Sequence, residues 1–309
     1  MDGSAEAVAA AERLTGRTVR GVRALGGGPL RLELDGPPGS AVVKRGSGRG
    51  AAAAEAAGLR WLAEAAEGVT GAAADGVRLP PVYAADADWL VIGLVEEGAP
   101  TPLAAERFGR ALAALHAAGA PAFGAAPPGG PRDAWIGRAP MRNSAPGGPD
   151  DRQGDGPDWP SWFAEQRILP YLRRAVDSRT LSADEAAVVE RVCDRLPELA
   201  GPTEPPARLH GDLWSGNVLW SRDGRGVHLI DPAAHGGHRE SDLAMLRLFG
   251  CAHLDRVLAA YHEAAPLAPG WTGRVPLHQL FPLLVHTVLF GRGYAAQALT
   301  AARAALGGG

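Results

Sequence analysis

Lysine is almost absent from this 309-residue sequence. Of its 31 cationic side chains, 30 belong to arginine, and Lys44 is the only lysine. Arginine can replace an exposed lysine at little cost, so the skew reflects a bias in the coding sequence. The lysine ammonium is a compact point charge, whereas the arginine guanidinium is a planar fork that needs more room. A lysine that survives in such a background therefore indicates a chemical requirement at position 44.

Cysteine and excess charge are also scarce, and each shortage excludes a class of protein. Cys193 and Cys251 have no metal-ligand spacing, which argues against a disulfide scaffold or zinc site and predicts a reducing, cytoplasmic location. A net charge of −3 does not indicate the positively charged surface that binds nucleic acid or an anionic membrane. The most apolar stretch, 280–290, is too short to span a bilayer. The acidic N-terminal residues do not resemble a secretion signal.

The pattern of strands, helices and breakers predicts two lobes. Residues 1–99 read as short strands around one helix, with strands at 18–25, 30–34, 41–44, 82–83 and 89–95 and the helix at 51–66. Gly98 and Pro100 interrupt this pattern, and residues 100–309 become mostly helical. Proline, glycine and aspartate crowd the stretch 127–160, which predicts a long surface loop. The fold class is therefore α+β, with a small sheet lobe and a larger helical lobe.

Three oxygen-bearing side chains carry the strongest chemical signal. Asp212 and Asn217 are five residues apart in a loop that leads into a predicted hairpin, and Asp231 follows the second strand of that hairpin. The hairpin folds the chain back, so we expect Asp231 to lie beside Asn217. Phosphoryl transfer from ATP needs one carboxylate for the attacking hydroxyl, together with an amide and a second carboxylate for Mg²⁺. Protein kinases use the same spacing.

Lys44 gains a role beside this set. It ends a predicted strand, and Glu55 lies eleven residues later in the following helix. In a kinase lobe such a lysine contacts the ATP phosphates and is held by a glutamate of that helix. The preceding glycines, Gly26, Gly27 and Gly28, could place backbone N–H groups over phosphates, although three glycines equally fit a hairpin turn. A Walker lysine loop is absent from the sequence.

Two further residues are expected to support the loop. His210, directly before Gly211 and Asp212, is expected to brace it by hydrogen bonding. Asp242 is expected to begin a helix and to tie the loop backbone in place. His116 closes an apolar helix and is expected to be a core or capping residue.

Several stretches together resemble the fructosamine-3-kinase (ketosamine-3-kinase) family. They are HGDLWSGN at 210–217, IDPA at 230–233 and RESDLAML at 239–246, and weaker similarity covers nearly the whole chain. Related aminoglycoside and choline kinases share the H-G-D…N loop and the later aspartate. Trp214 and Ser215 in the loop, and Pro232 after Asp231, are similar to the ketosamine branch.

The resemblance implies a bilobal protein-kinase-like fold and ATP- and Mg²⁺-dependent phosphorylation of the C3 hydroxyl of a ketosamine. The unstable 3-phosphate then falls apart and releases the amine of a small molecule or protein. By the same resemblance Asp212 is the base, Asn217 and Asp231 are magnesium ligands, and Lys44 with Glu55 clamps the phosphates. Trp214 would be a wall for the acceptor, because an aromatic face suits a sugar's C–H surface and an amine cation.

The sequence departs from the family at two places that leave alternatives open. Ala234 to His238 replace the usual aromatic pair and Gly-Asp, and the glycine-rich loop is short and lacks cysteine. A kinase of an aminoglycoside, an amino alcohol or another hydroxylated metabolite is one alternative. An ATP-binding scaffold without catalysis is another. The preferred sugar and amine, and the oligomeric state, stay undetermined at this level.

Overall fold

The computed structural model describes residues 3–144 and 158–307. The strands in these ranges are β1 (Val19–Ala24), β2 (Leu30–Leu34), β3 (Ser40–Arg45), β4 (Val77–Arg78), β5 (Val82–Ala85), β6 (Trp89–Gly93), β7 (Asp133–Ile136), β8 (Ala139–Arg142), β9 (Ala207–Leu209), β10 (Val218–Trp220), β11 (Val227–Leu229) and β12 (His235–Gly237). The helices are α1 (Gly3–Thr15), α2 (Ala51–Glu67), α3 (Pro102–Ala117), α4 (Trp159–Phe163), α5 (Leu169–Asp177), α6 (Ala183–Asp194), α7 (Leu196–Leu199), α8 (Glu240–Phe249), α9 (Leu254–Ala264), α10 (Trp271–Phe290) and α11 (Arg292–Gly307).

The first sheet is antiparallel and has the strand order β1-β2-β3-β6-β5. Successive side chains of a strand point to opposite faces, and here each face is covered by a helix. Leu32 and Val43 pack with α1 on one face, and Val42 packs with α2 on the other. The alternation places Lys44 on the same face as Val42. This parity brings Lys44 to α2, where Glu55 lies.

Helix α1 was not among the predicted elements, which included only one helix before residue 100. Its buried residues Ala7, Ala10 and Ala11 repeat with helical spacing and cover β2, β3 and β6. Alanine has a small side chain, so the apolar stripe is weak in the sequence although the spacing is present. The predicted strands and the helix α2 are confirmed.

The remainder of the chain is mainly helical, as predicted. Helix α3 packs along α9, and α10 packs along α11 and α8. The β10–β11 hairpin forms as predicted, and β4 joins it in parallel to β11. Strand β4 therefore connects the first hundred residues to the hairpin that precedes Asp231. The fold class predicted from the sequence is confirmed.

The predicted loop at 127–160 is wrong in part. Strands β7 and β8 form an antiparallel hairpin within it, with Ala134 opposite Met141. The alternating burial of Ala134, Ile136, Ala139 and Met141 anchors this hairpin in the helical core. The strands are short and turn-forming residues surround them, so the alternation of apolar residues was not recognised as a hairpin. Residues 145–157 of this stretch lie outside the described residues.

Helix α4 begins at Trp159, and α10 begins at Trp271 and contains Pro276. A capping box formed by Ser182 and Glu185 begins α6. In the two described ranges, no helix combines the length and apolar character needed to cross a membrane.

Candidate active site

The loop between β9 and β10 holds Asp212 and Asn217 close together. The Asn217 amide Nδ2 donates to the Asp212 backbone oxygen at 2.8 Å and to its carboxylate Oδ2 at 3.2 Å. Gly211 makes this turn possible, because its φ is +81° and an added Cβ would lie 2.2 Å from the Ala233 oxygen. The loop thus brings the two side chains predicted to share it into direct contact.

The hairpin returns Asp231 to this loop. The Ile230 backbone N–H donates to the Asn217 oxygen at 3.1 Å, so the residue before Asp231 is fixed to the loop that holds Asp212 and Asn217. Asp231 has a φ of 54°, a left-handed conformation that is uncommon for a residue with a side chain. The turn redirects the chain so that the Asp231 side chain reaches the first sheet.

Lys44 joins the two parts of the site. Its ammonium Nζ lies 2.5 Å from Glu55 Oε1 and 2.5 Å from Asp231 Oδ1. Lys44 and Glu55 are largely shielded, whereas the Asp231 side chain is 49% exposed toward the cleft. The sequence predicted the Lys44–Glu55 pair, and the structure adds Asp231 to it.

The pKa values of the site residues reflect burial first and the neighbouring charges second. Burial raises the pKa of Asp212 to about 7, against the hydrogen bond from Asn217, and the Asp231 charge adds to this rise. Burial also raises the pKa of Glu55 to about 7, against the opposing effect of Lys44. For Lys44, burial favours the neutral amine, but Glu55 and Asp231 outweigh it and raise its pKa. Lys44 therefore stays charged.

Asp242 anchors the backbone of the catalytic loop, as predicted. Its carboxylate accepts the N–H of His210 at 2.8 Å and the N–H of Gly211 at 2.9 Å. The buried His116 ring donates from Nε2 to the same carboxylate at 3.2 Å, and its Nδ1 pairs with the Tyr261 hydroxyl at 2.8 Å. His116 is thus a core residue that orients Asp242.

His210 braces the loop through both ring nitrogens. Its Nδ1 accepts the Asp212 N–H at 3.3 Å, which leaves Nε2–H to donate to the Ile230 oxygen at 2.9 Å. Burial lowers the pKa of His210, partly offset by Asp242, so the neutral ring is favoured. One histidine thereby links the residue preceding Asp231 to Asp212.

These residues line a cleft of about 390 Å³ between the first sheet and the helical part. The cleft is lined by Lys44, Glu55, Asp212, Asn217 and Asp231. The exposed side chain of Trp214 also borders it. The glycine turn joins β1 to β2, and Gly27 and Gly28 border the cleft. Gly26 belongs to the same turn but is not among the lining residues.

The β7–β8 hairpin forms a wall that the motif reasoning missed. Trp135, Arg138 and Asn143 line the cleft opposite α2, and the Trp135 ring packs directly over Gly48. The Trp135 indole N–H and the Asn143 Nδ2 are buried without a hydrogen-bond partner in the described part of the chain. The stretch from Ile136 to Asn143 carried a family resemblance in the sequence, but no charge pattern marked it as cleft lining.

The altered segment that ends at His238 lies largely outside this cleft. Its first residue, Ala234, borders the cleft, whereas His235 begins β12 and is buried against Trp162. His238, Glu240 and His278 form a buried cluster with ligand atoms close enough for a metal ion. However, Arg274 binds both Glu240 oxygens at 2.9 and 2.5 Å, and His238 Nδ1 accepts the Glu240 N–H. The Glu240 carboxylate is therefore already paired with Arg274, and the cluster is part of the core, with His278 Nε2 at 3.3 Å from Glu240 Oε2.

The donor set at Asp212 suits a hard divalent cation. Because Asn217 Nδ2 points at Asp212, its Oδ1 is turned away and is free of hydrogen bonds within the described ranges. Asp231 supplies a carboxylate on the same side of the cleft, with only Oδ1 engaged by Lys44. Amide and carboxylate oxygens are the ligands that Mg²⁺ prefers. The residues present therefore fit Mg²⁺.

The lobed fold and this set of residues define a phosphotransferase of the protein-kinase-like class that acts on an alcohol group. A solved macrolide 2'-phosphotransferase type I has a similar fold and covers 96% of the chain and 95% of its own, with a TM-score of 0.53. At 19% identity this likeness shows the fold alone.

The family model described as fructosamine kinase matches residues 48–306, and the chain belongs to this family. A solved fructosamine-3-kinase candidate from Thermobifida fusca is 48% identical, covers 97% of this chain and 98% of its own, and has a TM-score of 0.83. A probable ketoamine kinase from Thermus thermophilus is 34% identical over 78% of this chain and 77% of its own length. Mouse ketosamine-3-kinase is 35% identical over 47% of this chain and 46% of its own.

Proposed function

We propose that this enzyme transfers the γ-phosphoryl group of ATP, with Mg²⁺, to the C3 hydroxyl of a ketosamine. The observation that carries the proposal is the cleft in which Asp212, Asn217 and Asp231 face the Lys44–Glu55 pair. Membership of the fructosamine kinase family directs the choice of acceptor. The 3-phosphate of such a product is unstable, so the reaction frees the amine of a small molecule or a protein.

Each residue takes a role that follows from its surroundings. Asp212 orients the acceptor hydroxyl and takes its proton, and a pKa of about 7 suits a base that works near neutral pH. Lys44, held by Glu55, pairs with phosphate oxygens of ATP. Asn217 and Asp231 would hold Mg²⁺, which supplies charge neutralisation on the phosphates.

The two lobes divide the work in this proposal. Residues 1–99 bind the nucleotide, with Gly26, Gly27 and Gly28 lying over its phosphates. Residues 100–309 supply the catalytic loop and the acceptor site, where Trp214 forms a wall. Support for this division comes from Gly27 and Gly28 of the first lobe and Trp214 of the second, which line the same cleft.

The test is turnover with Mg-ATP and two acceptors, ribulose-lysine and fructose-lysine. We expect ADP release with at least one of them, followed by recovery of free lysine. The Asp212→Asn variant is the inactive control, and Asp255→Asn, which changes an exposed aspartate on α9, is the matched active control. ADP release only with aminoglycosides or simple amino alcohols would reject the ketosamine assignment. ATP binding without turnover of any acceptor would favour a scaffold.

A further inference from the structure

A continuous set of aromatic rings runs from the catalytic loop to the surface. Its members, hereafter the aromatic strip, are Trp214, Phe249, His286, Phe290 and Tyr294. Ring centroids are 6.2 Å apart for Trp214 and Phe249, and 4.9 Å apart for Phe249 and His286. His286 in turn lies 5.4 Å from Phe290 and 4.9 Å from Tyr294. The strip thus links the catalytic loop with the ends of α8 and α10 and the start of α11.

The strip begins in the cleft and ends on the surface. Trp214 lines the cleft and is 40% exposed, and Phe290 at the other end is 57% exposed. The β7–β8 turn approaches the same region, because a Cβ added to Gly137 would lie 3.9 Å from Leu289 of α10. Gly216 leaves room for the Trp214 ring, since a Cβ there would lie 2.3 Å from it. The exposed rings are therefore continuous with the acceptor end of the cleft.

The substrate geometry identifies what covers these rings. A ketosamine has a sugar part, whose hydroxyl must reach Asp212, and an amine part that extends away from it. Trp214 is two residues from Asp212, so a sugar held against Trp214 leaves the amine part free to extend toward Phe249, the next ring of the strip. Aromatic faces attract a nearby ammonium and pack well against alkyl or aromatic groups. His286 is bound through Nδ1 to the Pro282 oxygen at 2.7 Å, which fixes its ring within the strip.

We propose that the aromatic strip is the binding subsite for the amine part of the acceptor and favours amines with apolar or aromatic side chains. The inference rests on the proposed function, because it assigns the second half of the same substrate. Trp214 contacts the sugar and the adjoining ammonium. Phe249, Phe290 and Tyr294 contact the side chain of the amine.

The experiment compares ketosamines made from one sugar and three amines: methylamine, butylamine and phenethylamine. For the wild type we expect kcat/KM to rise along this series. Phe290→Ala and Tyr294→Ala should each lower the phenethylamine-to-methylamine ratio of kcat/KM by about fivefold, the size of a lost aromatic contact. The loss should appear in the KM for the acceptor, and the KM for ATP should stay constant.

Matched variants separate binding from folding. Leu103→Ala removes a similarly exposed apolar side chain, 53% exposed on α3, and should leave the ratio unchanged. Phe290→Tyr keeps the ring and should restore most of the ratio, and thermal melting checks that each variant is folded. An unchanged ratio in Phe290→Ala and Tyr294→Ala, with an active wild type, overturns the strip assignment. A wild type inactive on all three ketosamines overturns the proposed function and with it this inference.

Discussion

Asp212 and Asp242 are both shielded carboxylates of the catalytic region, yet their surroundings are opposite. Asp242 accepts two backbone N–H groups and the His116 ring N–H. Burial on its own raises the pKa of Asp242, but these donors outweigh it and lower the pKa. Among residues 3–144 and 158–307, the Asp212 carboxylate receives only the Asn217 amide, and its pKa rises to about 7.

The difference separates an anchor from a reactive group. A carboxylate surrounded by donors is stable as an anion and has little tendency to take a proton. A carboxylate shielded without a cation holds a proton more readily, at a cost in folding free energy near neutral pH. Three hydrogen-bond donors hold the Asp242 carboxylate, which keeps the loop in place. The Asp212 carboxylate in that loop receives fewer hydrogen bonds. The predictions below test this contrast, from the largest effect to the smallest.

The largest effect is expected for Asp212→Asn. Removal of a general base lowers kcat by about 10²–10⁴-fold. The same change replaces a shielded carboxylate by a neutral amide, so the variant should be more stable than the wild type at pH 8. Steady-state kinetics and urea denaturation measure the two quantities. A variant that loses activity and stability together would mean that Asp212 is also an anchor.

Asp242→Asn should act in the opposite direction on stability. An amide can accept fewer of the hydrogen bonds that the carboxylate accepts, and its NH₂ group would face other donors. Hydrogen bonds to a charged group contribute about 1.5–3 kcal/mol each, so we expect a loss of at least about 2 kcal/mol in the free energy of unfolding. Urea denaturation measures this loss, with Asp255→Asn as the exposed control. A loss below that of the control would remove the anchor role.

Lys44→Arg tests the cation on the reactive side of the comparison. Lys44 fits between Glu55 and Asp231 at 2.5 Å from each, and a guanidinium is larger and cannot occupy the same point. We expect at least a tenfold loss in rate, equal to about 1.4 kcal/mol of transition-state stabilisation. Arg60→Lys, at an exposed position of α2 that is not among the residues lining the cleft, is the control for exchanging the two cations. Unchanged kinetics in Lys44→Arg would make the lone lysine an accident of composition.

The sequence predicted the elements of the site that follow from local pattern and spacing. The loop, the hairpin and the strand parity of Lys44 bring the polar residues together, and the predicted support by Asp242 and His210 is present as hydrogen bonds. The catalytic, nucleotide and metal roles of these residues stay predictions.

Other parts of the structure could not be predicted because they depend on distant contacts. The alanines of α1 become a core stripe only when the sheet is beside them. The β7–β8 hairpin was hidden among turn-forming residues, and its place at the cleft depends on Trp135 meeting Gly48 from the other lobe. The buried position of the segment around His238 depends on contacts with rings that lie far away in the sequence.

The most specific effect is expected in the pH dependence of stability. A free aspartate has a pKa near 4, whereas Asp212 in the folded protein has a pKa of about 7. Between these values the unfolded chain loses the proton that the folded chain keeps, so the Asp212 contribution lowers stability as pH rises. The stability advantage of Asp212→Asn should therefore grow from about pH 4 to about pH 7 and then level off. The contribution of Asp242 to stability has the opposite sign, because its pKa is lowered, and it is lost only in acid.

The wild-type kcat/KM should fall below about pH 7 as Asp212 becomes protonated. The Glu55→Gln variant separates the contribution of Glu55, whose pKa is also about 7. An advantage of Asp212→Asn that is constant across this range would show that Asp212 titrates normally, and the contrast with Asp242 would then fail.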